Sequence, residues 1–409
     1  MIRSGRVATR AWAYLQEEVV TLKQGFVALL ICSGGNLLAG LALGLMTHTL
    51  EALPGLMVLI PAAIGMRGNI FGALGSRLGT AIHSGIFELS RRREGILAQN
   101  IYVSTVLGLI MSLFLGILAW LVSLIFGLES ISWTDFVVIS TLGGIISGVV
   151  VLVTTVLIAV ASYRWGWDAD NVSTPLVTTA GDLVTIPSLY LATFVAGIPY
   201  VTPILSAILI VISMVSLIMA LFSGLNIVYK VLLESLPTLL LAGLVVILAG
   251  VMVESRIKAL IALPALLVMI PLFIDNSGNM GGILSARLAS KLHLGLINSH
   301  RIPEPAAWRE FGIIYIFGGP VFTMVGVTSH LVSRLVGLGS PGLLEMVGIS
   351  LVAGLMTTTL AILVAYYIAV GTFRFGLDPD NHGIPAVTSS MDFLGIFFLI
   401  FTMVLFGLV

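Results

Sequence analysis

Long apolar stretches separated by short polar ones run through almost the whole chain. A helix needs about 20 apolar residues to cross about 30 Å of hydrocarbon. The pattern therefore predicts eleven membrane-spanning helices, which cover residues 25–50, 52–84, 96–127, 134–162, 173–197, 201–222, 236–254, 258–294, 307–333, 344–372 and 384–408. The second and eighth segments are longer than a simple span and contain Pro and Gly, which predicts broken or re-entrant helices there.

The distribution of basic residues predicts an orientation. Residues 1–24 combine Arg and Lys with Trp and Tyr, which favours a basic amphipathic helix on the membrane surface over a frayed tail. Basic residues are concentrated in the loops on the N-terminal side of the membrane, and the opposite loops hold Arg256, Lys258 and Arg334. The positive-inside rule then places the N-terminus in the cytoplasm, and an odd number of spans places the C-terminus outside.

The composition excludes a soluble enzyme. Hydrophobic residues make up 58% of the 409 residues and charged residues only 9%, whereas soluble chains carry about 25% charged residues. Nineteen Lys and Arg balance nineteen Asp and Glu, so no net charge predicts a nucleic-acid partner. The chain is expected to be an all-α integral protein of the cell membrane, with the lipid bilayer as its surroundings.

An internal duplication organises the sequence. The segment that begins at Pro61 and the segment that begins at Pro271 share ten identities in 25 ungapped positions, including Gly-Asn and Arg-Leu. At the same offset of 210 residues, the segments from Tyr163 and Phe373 share nine identities in 20, among them three Asp and one Asn. Apolar composition alone does not produce polar identities in register, so the two halves are copies of one unit.

The offset also predicts the symmetry. Each copy holds five spans, residues 25–199 and 235–409, and residues 200–234 supply one unmatched span and a loop between them. Five spans alone would invert the second copy, but the linking span restores the parallel orientation. We therefore expect two parallel five-helix repeats related by a pseudo-two-fold axis along the membrane normal, as in a dimer fused into a single chain.

Two aspartates at equivalent positions are the first candidates for chemistry. Asp182 and Asp392 each lie seven residues after a proline within a predicted span. An ionisable residue there costs about 2.5–3.5 kcal/mol and is a functional hypothesis by default. Neutralisation by a buried Arg, or protonation in place, is the structural alternative. Thr178 and Thr388 lie four residues earlier on the same helix face.

A second duplicated pattern pairs small residues with an amide. Gly68-Asn69 and Gly278-Asn279 each follow a proline inside the long segments. A broken helix would expose backbone carbonyls there, and with the Asn amides these could offer oxygen ligands to a cation. Close helix packing through small residues is the alternative.

Further charged residues have less specific interpretations. Arg77 and Arg287 recur at the inner ends of the long segments, where snorkelling to headgroups would explain them. The copies differ at Gly65/Asp275 and at Arg67/Ser277, so Arg67 is expected to pair with Asp275 or to make the pathway asymmetric. Acidic and amide residues before the fifth helix of each copy would cap that helix or form a cation-attracting vestibule. They are Asp168, Asp170, Asn171, Asp378, Asp380 and Asn381.

The available ligands narrow the class of ion. The six His residues show no metal-ligand spacing and the single Cys cannot build a thiolate site, which argues against zinc and copper. Two carboxylates with hydroxyl, amide and backbone oxygens suit Mg²⁺, which keeps several of its waters and takes one or two carboxylates. Mn²⁺ or Co²⁺ could pass by the same route.

At these residues the chain resembles the MgtE-type magnesium transporters, especially the two-repeat branch that includes solute carrier family 41. The resemblance rests on P-x(6)-G-N followed by S-R-L or A-R-L, and on D-x-D-N-x(3)-P-x-V-T with the later Asp, each present twice in order. It implies a pore between two five-helix units. It also implies that the fifth-helix aspartates, here Asp182 and Asp392, are the main cation ligands.

The resulting hypothesis is divalent cation transport, with Mg²⁺ preferred, along a pathway between the repeats. The expected metal-binding residues are Asp182, Asp392, Asn69, Asn279, Thr178, Thr388, Gly68, Gly278 and Asp275. One alternative is a Na⁺-coupled Mg²⁺ exchanger. The other is an intramembrane aspartate enzyme, which Gly181-Asp182 faintly suggests but Met391-Asp392 does not repeat.

Overall fold

The computed structural model describes residues 29–30, 32–89, 92–165, 169–293, 295–375 and 383–409. Within these ranges it gives no side-chain description for residues 83, 165–175, 293 and 384–385. The described chain is helical and contains no strand, and helices account for 84% of the structure. The predicted all-α class is confirmed.

Thirteen helices follow one another in the described ranges. They are α1 (Cys32–Leu45), α2 (Thr47–Ala52), α3 (Leu56–His83), α4 (Ile96–Ile125), α5 (Trp133–Trp165), α6 (Ala169–Thr193), α7 (Val201–Leu221), α8 (Asn226–Glu254), α9 (Ile257–Ala262), α10 (Pro264–His293), α11 (Pro305–Leu335), α12 (Leu343–Phe375) and α13 (Ile384–Leu405). Nine of these are long and apolar enough to cross a membrane, and α1 is a shorter apolar helix. The chain is therefore an all-α membrane protein.

Both long predicted segments are broken, as expected, but the breaks lie near their starts, at residues 53–55 and at residue 263. Both α3 and α10 run as continuous helices through Pro61 and Pro271. The chain is interrupted before them instead, where the short helices α2 and α9 end. Ahead of α3, Gly55 adopts a left-handed φ of 86°, a conformation that a side chain would disfavour.

The helix boundaries repeat along the chain at the offset seen in the sequence. The short helix α9 begins and ends 210 residues after α2, and the same offset separates α5 from α12 at their described starts and ends. The unmatched helix α7 packs against α4 and α5 and, more lightly, α8. Its outer face exposes Ile204, Val211 and Ile218, a spacing that aligns apolar side chains along one face for contact with lipid.

The first helix of each copy packs against the long helix of the other copy. A Cβ atom at Gly40 of α1 would overlap the backbone carbonyl oxygen of Val268 in α10. The equivalent contact joins Gly250 of α8 to the carbonyl oxygen of Val58 in α3. The two contacts are equivalent, with the first and second copies interchanged. In each, a glycine allows the backbones of the two helices, α1 with α10 and α8 with α3, to pack closely.

Candidate functional site

The carboxylate of Asp392 lies where three helices meet. It projects from α13 toward the bare backbone of two glycines, one on each long helix. A Cβ at Gly65 of α3 would be 3.0 Å from Oδ2, and a Cβ at Gly278 of α10 would be 3.5 Å from Oδ1. The absence of side chains at these two positions therefore leaves room for the carboxylate between the long helices of the two copies.

Two further carboxylates join Asp392. Asp182 of α6 is buried with 6% of its surface exposed, and its charge interacts with the charges of both Asp275 and Asp392. Asp275 of α10 also interacts with Asp392. Three like charges in a low-dielectric interior repel one another and require compensation by a cation or by protons.

One predicted amide residue bonds to a carboxylate of the site, and the other bonds across the two copies. The Nδ2 of Asn279 donates a hydrogen bond of 2.8 Å to Oδ2 of Asp275, one turn earlier on α10. The Nδ2 of Asn69 donates to the hydroxyl of Ser389 at 3.4 Å, which links α3 of the first copy to α13 of the second. One amide thus orients a carboxylate and the other joins the two copies.

The threonines and glycines form contacts between the long helices and the fifth helices. A Cβ at Gly68 would be 3.4 Å from the methyl group of Thr178, and a Cβ at Gly282 would be 3.7 Å from the methyl group of Thr388. Since α3 and α10 are continuous, the carbonyls of Gly68 and Gly278 lie within regular helix, where they accept intrahelical bonds. Gly68 faces the methyl group of Thr178, and Gly278 faces the carboxylate of Asp392.

The sequence prediction missed a polar face on α1. The hydroxyl of Ser33 and the side-chain amide of Asn276 on α10 hydrogen-bond at 3.0–3.1 Å. Asn36 is fully buried beside the Asp275 carboxylate, but neither polar atom of its side chain makes a hydrogen bond of ordinary geometry. The thiol of Cys32 bonds to Thr179 of α6. A single Asn in an otherwise apolar span is the signal that could have revealed this face.

The arginines take positions other than those expected. Arg77 donates from Nε to Asn100 at 2.8 Å and from Nη2 to Ser104 at 3.1 Å, both on α4. Arg287 donates from Nε to Glu310 of α11 at 2.6 Å. Both side chains therefore fasten neighbouring helices, and the snorkelling interpretation is wrong.

Arg67 does not pair with Asp275. Its guanidinium points into the first copy and donates to the hydroxyl of Ser112 on α4.

The predicted vestibule residues are not described at the level of side chains. The structure gives no side-chain placement for Asp170 or Asn171. The remaining vestibule candidates, Asp168, Asp378, Asp380 and Asn381, lie outside the described residues, as does the basic segment 1–24.

The proline positions differ between the two fifth helices. In α13 the proline lies in the first turn, as predicted. In contrast, α6 begins at Ala169, so Pro175 lies inside that helix.

The arrangement suits a cation that keeps part of its hydration shell. Within the described ranges, no three His, Cys, Asp or Glu side chains come close enough to hold one bare metal ion together. Mg²⁺ loses its waters reluctantly and is commonly bound through one or two carboxylates with water completing the octahedron. A cluster of separated carboxylates beside amides and hydroxyls is consistent with that mode of binding.

Proteins of solute carrier family 41 are similar to this chain over most of its length. Solute carrier family 41 member 3 of Rattus norvegicus is 25% identical over 419 residues, which cover 93% of this chain and 86% of the relative. Solute carrier family 41 member 2 of Xenopus laevis is 24% identical, covering 93% of this chain and 71% of the relative. Member 2 from Homo sapiens is also 24% identical, with coverages of 91% and 68%.

One solved structure, the eukaryotic MATE transporter AtDTX14, aligns with 95% of this chain and 96% of its own at 13% identity, but its TM-score of 0.35 is too low to indicate a common fold.

The family model MgtE, described as a divalent cation transporter, matches the chain twice, over residues 60–193 and 270–402. These two segments contain the carboxylates Asp182, Asp275 and Asp392. The chain therefore belongs to the MgtE family of divalent cation transporters, with relatives in solute carrier family 41.

Proposed function

We propose that the chain transports Mg²⁺ in preference to other divalent cations, along a pathway between its two repeats. Asp182 and Asp392 are the paired ligands, and Asp275 adds a third carboxylate. The observation that carries this proposal is the convergence of three interacting carboxylates from α6, α10 and α13. Of these, Asp392 lies against the bare backbone of both long helices, one from each copy.

The ion in this proposal is partly hydrated. The carboxylates bind it directly or through water, while the oxygens of Asn69, Asn279, Thr178 and Thr388 hold waters of its shell. The glycines contribute room rather than ligands, because their carbonyls lie within continuous helices. Mn²⁺ and Co²⁺ have similar preferences for octahedral oxygen coordination and would follow the same route.

The proposal treats the single chain as a pseudo-dimer. The units are residues 25–199 and 235–409, joined by the linking segment 200–234. Its support is the exchange of roles in the contacts of Gly40 with Val268 and of Gly250 with Val58, because reciprocal contacts are the mark of a two-fold interface. A parallel arrangement with the axis along the membrane normal then places Asp182 and Asp392 on either side of that axis, near the middle of the membrane.

The orientation in the membrane follows from the loop charges. A cytoplasmic N-terminus and an external C-terminus place most of the basic loop residues inside, in agreement with the positive-inside rule. In this orientation the basic pair Arg287 and Lys291 lies at the inner end of α10.

Mg²⁺ uptake into proteoliposomes tests the proposal. We expect Asp182→Asn and Asp392→Asn each to lower uptake at least tenfold, since each removes one of two ionic ligands, and the double variant to abolish it. Glu51→Gln, at an exposed position of α2, is the matched control and should transport normally. Uptake that persists at the wild-type rate in a folded double variant would remove these aspartates from the pathway. Repeating the assay with an imposed Na⁺ gradient tests the exchanger alternative.

A further inference from the structure

Arg67 is a buried charge without an acidic partner. Only 2% of its surface is exposed, and its one side-chain hydrogen bond is to the hydroxyl of Ser112. Its Nε and Nη1 have no partner, and among the described residues no carboxylate forms an ion pair with it. An unpaired guanidinium in the interior is expensive, so its presence requires an explanation other than packing.

The second copy shows that packing alone does not require a charge here. The position of Arg67 is occupied by Ser277, whose hydroxyl bonds back to the carbonyl of Phe273 at 2.8 Å. The position of Ser112 is occupied by Phe322, whose ring fills the space against Gly354. In the first copy, the equivalent Gly144 is packed against Arg67 and Ser112 instead. The same space is thus filled by a guanidinium in one copy and by a phenyl ring in the other.

The two copies differ in charge at another position of the same motif. Asp275 in α10 corresponds to Gly65 in α3, so one copy adds a negative charge where the other adds the positive charge of Arg67. With all carboxylates ionised, Asp182, Asp275 and Asp392 carry three negative charges. Arg67 reduces the sum to two, which is the charge that a single divalent cation neutralises.

We propose that Arg67 is a built-in counter-charge of the cation site, which offsets the extra carboxylate of Asp275 and matches the site to one divalent cation at a time. This inference rests on the proposed function. Arg67 does not touch the ion. Its Cβ lies 3.4 Å from where a Cβ at Gly181, the residue before Asp182, would stand. Its guanidinium extends from there toward Ser112, so the charge acts on the site through space. Charges interact over long distances in a poorly screened interior.

The internal repeat supplies a matched variant that removes the charge and keeps the space filled. The paired exchange Arg67→Ser with Ser112→Phe reproduces the arrangement of Ser277 and Phe322. We expect it to bind Mg²⁺ roughly tenfold more tightly and to release it more slowly, because the site would carry three uncompensated negative charges. Asp275→Asn alone should bind Mg²⁺ roughly tenfold more weakly, and adding it to the paired exchange should bring the affinity back toward that of the wild type.

Isothermal titration of the purified, full-length protein with Mg²⁺ alone measures these affinities, and a thermal melt confirms that each variant is folded. Unchanged or weaker binding in the folded paired exchange would overturn the counter-charge. Arg67→Lys keeps the charge and should shift the affinity less than Arg67→Met, and the reverse order would also overturn it. If Asp182→Asn fails to weaken binding, the proposed function fails, whatever the Arg67 variants show. If it does weaken binding and only the Arg67 variants fail, the counter-charge alone is rejected.

Discussion

The carboxylate of Asp392 lies against the bare backbone of Gly65. The two residues belong to different copies of the repeat, and a Cβ at Gly65 would come within 3.0 Å of Oδ2. The counterpart of Gly65 in the second copy is Asp275. The equivalent position therefore holds a glycine on one long helix and a carboxylate on the other. The position of Asp392 therefore depends on the lack of a side chain across the interface.

This contact predicts that Gly65→Ala impairs transport. At 3.0 Å the carboxylate must move by a few tenths of an ångström, which disturbs ligand geometry, and we expect Mg²⁺ uptake to fall several-fold. Gly312→Ala in α11 is the control, because nothing lies within 4 Å of its Cβ. Proteoliposome uptake compares the two, and equal activity in both variants would show that the carboxylate adapts freely.

The reciprocal glycine contacts predict a pair of destabilising substitutions. Gly40→Ala and Gly250→Ala would each drive a methyl group into a carbonyl of the facing helix, and overpacking of this kind costs about 1–3 kcal/mol. Gly312→Ala in α11 is the control, because nothing lies within 4 Å of its Cβ. Thermal unfolding in detergent should show a lower midpoint for Gly40→Ala and for Gly250→Ala and an unchanged midpoint for the control. A loss confined to one of the two would argue against equivalent interfaces.

The sequence alone predicted the features that follow from composition and duplication. Apolar runs predicted the helices, since a chain in lipid must satisfy its backbone by helix formation. The constant offset singled out Asp182 and Asp392, and in the structure the charges of these two residues interact with each other and with that of Asp275. Pro61 and Pro271 were misleading, because proline is tolerated inside a membrane helix when neighbouring groups satisfy the freed carbonyl.

The polar residues of α1 that are present in only one copy were not predicted. The repeat singles out residues that are retained twice, whereas Asn36 corresponds to Val246 and Ser33 to Gly243. The direction in which the Arg67 side chain points was not predictable either. It depends on the small side chain of Ser112, which lies on a different helix and leaves room for the guanidinium. In the second copy the two positions hold Phe322 and Ser277.

Glu254 is predicted to stabilise the start of α3 from the other copy. Its carboxylate accepts the backbone N–H groups of Gly55 at 2.9 Å and Met57 at 3.0 Å, donors that a helix N-terminus leaves without partners. We expect Glu254→Ala to lower the free energy of unfolding by about 1–3 kcal/mol. Glu254→Gln, which retains one acceptor oxygen, should cost less. The exposed Glu51→Ala serves as the control in the same denaturation series, and equal stability of all three variants would refute the capping role.

A cluster of charged residues at the inner end of the second copy predicts that a destabilising substitution there can be compensated by a second substitution taken from the first copy. Glu310 is buried and pairs with Arg287 at 2.6 Å and with Lys291, whereas the first copy has Asn100 and Ala81 at the positions of Glu310 and Lys291. Glu310→Asn should destabilise the protein by about 3–5 kcal/mol, because it breaks a buried ion pair. Adding Lys291→Ala should restore at least half of that loss, as judged by thermal unfolding. Additive destabilisation in the double variant would contradict the prediction.

The link between Asn69 and Ser389 predicts that the two copies can be bridged across the pathway. These side chains lie on α3 and α13 with polar atoms 3.4 Å apart, so cysteines at both positions, in a Cys32→Ser background, should bind Cd²⁺ together. We expect micromolar Cd²⁺ to block Mg²⁺ uptake in this variant and a chelator to restore it, because the bridge would fix α3 against α13. The control pairs Asn69→Cys with Ser390→Cys, since Ser390 is turned about a quarter of the helix circumference away and bonds to its own helix. Equal Cd²⁺ inhibition in both pairs would mean that α3 and α13 do not hold this register during transport.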